Sequence, residues 1–427
     1  MDEQKPLENK QGEPGKKIEK SEYSFMQETI KDENSRGKKC RKDLLRMAGL
    51  GVVFGVCACI SFSALKPWLD KKFPGDSQEV VIPKEKEEDN TEEKKADTSN
   101  NTEQTLDIDN YRELQKAMND VATEAGKSVV EIIGVSGEQD WTDESYDNKN
   151  SVSGLIIADN GQELLVYGKT SILKDAKEIH IRFSDGNTEQ ASVKKKDEVS
   201  DLRSMLCREA ALNSQHGRRS VPPNLAVPIL YRRGRVAVLG KPFGYAGAVG
   251  FGTIANSRNE LDADDGSYQL LCTDIGAAED GTGVIVNLSG EVVGIIDQSI
   301  SDNSSKRLVT GYGISGLKSE IELLSNGQAV PYVGIRGLDV TAEIEAQGIP
   351  NGVYVQTVEP DSPAMAAGIQ SGDIITEAAG KKISSLAVYQ SVMRDQKSGS
   401  KIRLKGQRQG SGGYVDISFD VTVGSKE

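Results

Sequence analysis

Thr273–Ile295 reads TDIGAAEDGTGVIVNLSGEVVGI. Its apolar residues fall into short β-branched runs, GVIVN and EVVGI, broken by glycine-bearing turns, and such runs are strand signals. The same texture spreads in both directions. Upstream lie SVVEIIGV (128–135), SGLIIA (153–158), QELLVYG (162–168), EIHIRFSDG (178–186), RVAVLG (235–240), AVGFGTIA (248–255) and YQLLCTD (268–274); downstream lies VTGYGIS (309–315). Many short strands at this spacing with no helices between them predict an all-β barrel or sandwich.

Helical period appears at the borders. IDNYRELQKAMNDVATEAGKS predicts one amphipathic helix from Asp109 to about Ala125, closed by Gly126 in a left-handed cap. GLKSEIELLSNG (316–327) predicts another, and a last block from about Pro331 to Val423 mixes strands with a helix over LAVYQSVMRDQ.

Further out, the texture changes. Met47–Leu65, MAGLGVVFGVCACISFSAL, carries no charge, and at 1.5 Å per residue it spans roughly 28 Å, close to the hydrocarbon thickness of a bilayer. Lys38, Lys39, Arg41, Lys42 and Arg46 precede it, so the amino terminus is expected to stay cytoplasmic and the rest to lie outside the membrane. Ser61-Phe62-Ser63 loosely resembles a signal-peptidase site, but the long segment before the apolar run favours an uncleaved anchor. The first forty-odd residues and the spacer containing KEKEEDNTEEKKADTSNNTEQ (84–104) are polar, with no apolar period, and are expected to be disordered.

The 427 residues carry a formal charge of −13, which argues against a nucleic-acid partner, because phosphate binding needs a basic face. The five cysteines show no zinc-type spacing, and no metal or cofactor is expected. Cys207 and Cys272 are the two in the globular part; spacing alone does not decide whether they pair or stay buried thiols.

Several segments, in order, resemble the HtrA/Deg family of trypsin-like proteases with PDZ domains. Ser153-Gly154-Leu155-Ile156 resembles its first-barrel strand GSGVI, and Glu178–Gly186 the strand and turn after its histidine segment. Gly240–Ile254 is similar to its GNPFG stretch, Thr273–Ile295 to its GNSGGPL nucleophile segment, and Gly311–Ile335 to its last helix and the start of its PDZ domain. The resemblance implies a mainly β chain: an N-terminal transmembrane helix, a trypsin-like double β-barrel and a C-terminal PDZ (α+β) domain. The expected boundaries are a cytoplasmic tail over 1–46, a membrane helix over 47–65, a linker over 66–106, a protease-like domain over 107–328 and a PDZ domain over 329–427.

The chemistry departs from the family. A serine protease needs a hydroxyl nucleophile, an imidazole to take its proton and a carboxylate to orient the imidazole. In VYGKTSILKDA, Ser171 stands at the histidine position, and in Glu279-Asp280-Gly281-Thr282-Gly283 the serine position is Gly281, with the Thr282 hydroxyl one residue away. Asp201 stands at the orienting aspartate's position, the one triad position retained. Of the two histidines, His180 is expected on an exposed strand face and His216 in an arginine-rich loop. A Ser171 dyad with Lys169 or Lys174 is the remaining nucleophilic option, disfavoured because exposed lysines are protonated. The stretch Arg203–Arg235 lacks the family's strand pattern; a basic patch, an insertion and a shifted reading frame stay open, and Asp201 shares that ambiguity.

In the last block, Tyr332-Val333-Gly334-Ile335 resembles the PDZ carboxylate-binding loop, often YLGI, with Leu386, Tyr389 and Met393 at helical spacing beside the groove. PDSPAMAAGIQSGDIIT (360–376) is the most PDZ-like segment. The expectation is a membrane-anchored pseudoprotease that binds peptides or protein C-termini in envelope protein quality control, as a homotrimer by family resemblance. The alternatives are an active extracytoplasmic serine endopeptidase and a purely structural assembly role.

Overall fold

The computed structural model describes residues 79–82, 108–136, 150–159, 163–169, 176–196, 202–208, 234–301 and 307–425. Met47–Leu65, Ser171, Asp201 and His216 lie outside them. Among the described residues no helix is long and apolar enough to cross a membrane.

The glycine-punctuated runs form antiparallel ladders that close on themselves, which removes exposed strand edges. In the first barrel, β1 (Val129–Val135), β2 (Ser151–Asp159), β3 (Glu163–Lys169), β4 (Glu178–Arg182), β5 (Thr188–Lys196) and β6 (Leu202–Arg208) pair in the order β1-β2-β3-β6-β5-β4. Ile132, Val152, Ile156, Leu164, Val166 and Ile181 fill it. In the second, β7 (Arg235–Lys241), β8 (Ala248–Ala263), β9 (Gly266–Gly276), β10 (Thr282–Asn287), β11 (Val292–Asp297) and β12 (Leu308–Gly313) pair as β10-β11-β12-β9-β8-β7.

Every residue of β10 and β11 is buried. Their unbroken Val/Ile runs need cover on both faces, as for strands inside a protein rather than at its surface. That cover is continuous: the second-barrel core includes Leu155 and Tyr167 of the first barrel and Leu317, Ile321 and Leu324 of the following helix. Of the two flanking helices, α1 (Ile108–Gly126) runs one residue further at each end than the sequence predicts. Gly126 is helical rather than left-handed; the helix closes through Lys127 and Ser128, whose N–H groups donate to the Glu124 and Ala125 carbonyls at 3.2 and 3.1 Å. The other, α2 (Ile314–Ser325), buries Glu320 completely, and its carboxylate accepts from Tyr167 Oη and Tyr268 Oη, both at 2.9 Å. One residue of α2 thus ties β3 of one barrel to β9 of the other.

The last block is β13 (Pro331–Tyr332), β14 (Ile335–Asp339), α3 (Ala342–Glu345), β15 (Val353–Val358), α4 (Pro363–Ala367), β16 (Ile374–Ala378), β17 (Lys381–Lys382), α5 (Leu386–Arg394), β18 (Lys401–Gly410), β19 (Gly413–Thr422) and β20 (Gly424–Ser425). Its main sheet runs β14-β15-β16-β18-β19. Ser362 Oγ accepts from Met365 N at 3.2 Å and starts α4, while Gly368 ends it at φ 87°. The Arg408 guanidinium grips the fully buried Asp373 through both carboxylate oxygens at 2.5 and 2.8 Å. That planar pairing holds the Gln370–Asp373 turn against β18.

Candidate functional sites

Two places carry the chemistry: the turn into β10 and the loop from β13 to β14. At the first, the chain passes through Glu279-Asp280-Gly281 before the strand begins at Thr282. Gly281 N–H donates to the Ala278 carbonyl at 3.1 Å, and its own carbonyl accepts from Gln298 N at 3.2 Å. A Cβ at Gly281 would sit 2.7 Å from the Pro242 carbonyl oxygen and 3.1 Å from that of Ala278. Glycine is needed here because backbone oxygens approach it closely. The position that resemblance assigns to the nucleophile therefore has no room for a side chain. Its amide, which an acyl-transfer site would aim at the developing oxyanion, is already bonded.

Thr282 is the nearest hydroxyl, and it is 5% exposed. Its Oγ1 accepts from Ser153 N at 3.0 Å, while Ser153 Oγ donates to the Thr282 carbonyl at 3.4 Å. The hydroxyl stitches β10 to β2 across the barrels. A cleft of about 300 Å3 lies beside it, lined in part by Ser151, Lys169, Asp280, Asp297 and Ser299. Lys169 Nζ donates to Asp297 Oδ1 at 2.7 Å and to Ser299 Oγ at 2.5 Å, so its ammonium is held by an ion pair and by a serine hydroxyl that itself donates to Asp297 Oδ1 at 2.7 Å. Lys241 is 2% exposed and donates to the Ser151 carbonyl at 3.0 Å.

His180 does not line this cleft. On β4 it pairs with Gln190 of β5 and Ile133 of β1, and its Nε2 lies 3.2 Å from Glu178 Oε2. It is half-buried rather than exposed, with Ile181 beside it in the core, so the alternation of the strand is as expected. Cys272 carries a free thiol.

The second site forms where the chain turns from β13 into β14. Gly334 adopts φ 90°, and a Cβ there would meet Ser362 Cβ at 2.4 Å and Tyr332 Oη at 2.8 Å, so only glycine fits. Three successive N–H groups converge there. Val333 N and Gly334 N donate to Asp265 Oδ2 at 2.6 and 2.7 Å, and Ile335 N donates to Asp265 Oδ1 at 3.3 Å. Tyr389 Oη of α5 donates to the same Oδ1 at 2.9 Å. Successive backbone donors of this kind make an anion-binding nest. Tyr332, Gly334 and Tyr389 stand around the Asp265 carboxylate. The side chains of Val333, Ile335, Leu386, Tyr389 and Met393 belong to the core of the C-terminal domain. Burial pushes the Asp265 carboxyl above its ordinary value, with the four donors only partly offsetting it, and burial raises Tyr389 well above the usual phenol range.

Asp265 was not among the sequence candidates. The Asp265-Gly266 dipeptide marks a hairpin turn, and nothing local to it says that the carboxylate will reach residues 68 to 70 positions away.

A family model described as a PDZ domain matches residues 331–419. Serine protease Do-like HtrA of Lactobacillus helveticus is 25% identical over 282 residues, which cover 60% of this chain and 65% of that protein. Periplasmic serine endoprotease DegP of Escherichia coli (strain K12) is 30% identical over 292 residues, covering 64% of this chain and 57% of that one. The chain thus spans less than two thirds of the length of these curated relatives. Among solved structures, the HtrA-type protease AlgW with decapeptide aligns over 73% of this chain and 99% of its own, with a TM-score of 0.50 and 20% identity, a likeness of fold. Two closed six-stranded barrels, the PDZ domain that follows them and these relatives agree: the chain is similar to the HtrA/DegP family, with a trypsin-like serine-protease fold and a C-terminal PDZ domain.

Proposed function

We propose that this chain binds peptides, or exposed protein C-termini, through its PDZ domain and that its protease barrels do not cut them. The observation that carries the second half is Gly281. Its Cβ position is filled by the Pro242 carbonyl oxygen, and its amide is spent on Ala278. Removing the nucleophile of a comparable site alone costs on the order of a million-fold in turnover. The described histidine, His180, is bonded to Glu178 on the outer part of the first barrel and has no role at that turn.

The proposed layout follows the sequence: a cytoplasmic tail over 1–46, a membrane anchor at Met47–Leu65, a linker over 66–106, the protease-like barrels over 107–328 and the PDZ domain over 329–427. The anchor would place the barrels and PDZ domain outside the membrane, where a binding protein of this kind serves envelope protein quality control. A homotrimer is the assembly implied by resemblance.

The relatives above carry protease names, so the test is direct. The purified full chain in detergent is treated with a fluorophosphonate probe and incubated with casein, alongside an active serine protease. No labelling and no cleavage are expected. Labelling at Thr282, or at any serine or threonine, with matching casein cleavage would establish the endopeptidase reading instead. A peptide array with free C-terminal carboxylates, probed with the native chain and with Gly334→Trp, separates peptide binding from a purely structural role: the variant is expected to lose the signal.

A further inference from the structure

The PDZ carboxylate site of this chain already holds a carboxylate, and the carboxylate belongs to the chain itself. We propose that the β8–β9 hairpin is a built-in ligand of the PDZ domain, with Asp265 standing in for a peptide's C-terminal carboxylate, so that an incoming peptide binds only by displacing it. The proposal rests on the peptide-binding reading of the site and specifies what that binding competes against.

The hairpin has the geometry of a bound chain end. Ala263 pairs with Gly266, leaving Asp264-Asp265 as a two-residue turn that projects from the second barrel. Asp265 takes φ 60°, a left-handed conformation that aspartate adopts at small cost. Its side chain receives the three loop amides and the Tyr389 hydroxyl, and its own N–H donates back to the Ile335 carbonyl at 2.7 Å. A peptide added as a strand to a PDZ domain uses both features, a terminal carboxylate in the loop and main-chain bonds to the adjoining strand edge.

The neighbours reinforce the docking. Arg336 Nε donates to Asp264 Oδ1 at 2.7 Å, and Gly266 lies so close to α5 that a Cβ there would meet the Gln390 side chain at 2.3 Å. Arg394, one turn on, donates to the Gly316 carbonyl at 2.6 Å and lies over the Tyr268 ring at 5.7 Å. Asp265 is 7% exposed, so a peptide carboxylate has no route to the loop amides while the hairpin is seated.

The consequence is a tax on affinity. A site open one time in ten binds about tenfold more weakly than the same site permanently open. Glycine and asparagine both tolerate the φ of Asp265, so Asp265→Gly and Asp265→Asn keep the hairpin while removing its charge. The experiment takes the full chain and these two variants. Hydrogen exchange is followed at Val333, Gly334 and Ile335, and affinity is measured for the best free-carboxylate peptide of a random octapeptide library and for its C-terminal amide.

Exchange at the three amides is expected to accelerate in Asp265→Gly while the barrel strands stay protected. The free-carboxylate peptide is expected to bind this variant at least about tenfold more tightly than the native chain, and Asp265→Asn to fall between them. The amidated peptide is expected to gain nothing. Unchanged exchange at the three amides overturns the proposal, because the loop would then not depend on Asp265. Equal peptide affinity in the native chain and Asp265→Gly also overturns it, yet leaves peptide binding intact. Faster exchange with no peptide bound by either protein overturns the competition together with the peptide-binding reading, and leaves the hairpin as a structural clasp.

Discussion

At Gly281 two carbonyl oxygens occupy the space a side chain would need, and the physical consequence is that restoring the residue does not restore the site. Gly281→Ser places its Cβ within 2.7 Å of the Pro242 oxygen, and a backbone atom cannot swing aside as a flexible side chain can. We expect this variant to lose about 1–3 kcal/mol of stability, the usual cost of forcing extra atoms into a filled space. We also expect it to remain unlabelled by fluorophosphonate, alone or combined with Ser171→His; a urea midpoint and a labelling gel read the two effects. Labelling in the double variant would mean that the turn reopens and that residue identity alone disables the barrels. On the proposed reading, what the sequence offers at this turn is that Gly281 stands where the family resemblance places a hydroxyl. The closure of the turn was not legible, since that depends on carbonyls donated by Pro242 and Ala278 once the barrel has formed.

Elements were more legible than residues. The Val/Ile runs separated by glycine mark β1, β2, β3, β7, β10 and β11, because strand period and turn chemistry are written locally. The strand β6 was not, since LRSMLCR lacks regular apolar alternation; its place comes from ladders to β3 and β5 on either side. The left-handed cap predicted at Gly126 failed because Lys127 and Ser128 close α1 with shorter-range bonds. Least visible of all was the role of α2. Its amphipathic period predicts a buried face, yet Glu320, a charged residue, lies fully inside, accepting two tyrosine hydroxyls from two barrels. Buried polar groups are costly when they lose a partner, so Glu320→Ala should remove the shared acceptor of both hydroxyls and cost about 2–4 kcal/mol, whereas Glu320→Gln, which keeps an acceptor, should cost less. A denaturant midpoint for each variant checks the order. Equal losses would mean that the helix packing alone, through Leu317, Ile321 and Leu324, joins the barrels.

Across the whole molecule, the contact between barrel and PDZ domain carries a charge buried on one side and solvated when the hairpin withdraws, and this gives the contact a pH dependence of definite sign. Burial is the largest influence on Asp265 and raises it above 3.8, while the bonds from Gly334, Val333, Tyr389 and Ile335 offset only part. A carboxyl raised in the docked arrangement stabilises that arrangement fully below 3.8 and loses the contribution as pH rises through its raised value. The other charged groups facing it do not reverse this: Tyr389 on α5 and Tyr332 on β13 are both raised and stay neutral, and Arg336 on β14, held by Asp264, stays cationic. Glu359, beyond β15, bears on Tyr332 and raises it further. Docking is therefore expected to be tightest in acid and to weaken by at most about tenfold per pH unit between 3.8 and the raised value, levelling off above it. Protection factors at Val333, Gly334 and Ile335, corrected for intrinsic exchange, should fall with pH in the native chain and stay level in Asp265→Asn. Parallel pH profiles in the two proteins would show that the carboxyl keeps the same protonation whether the hairpin is docked or free, and the clasp would then rest on hydrogen bonds alone.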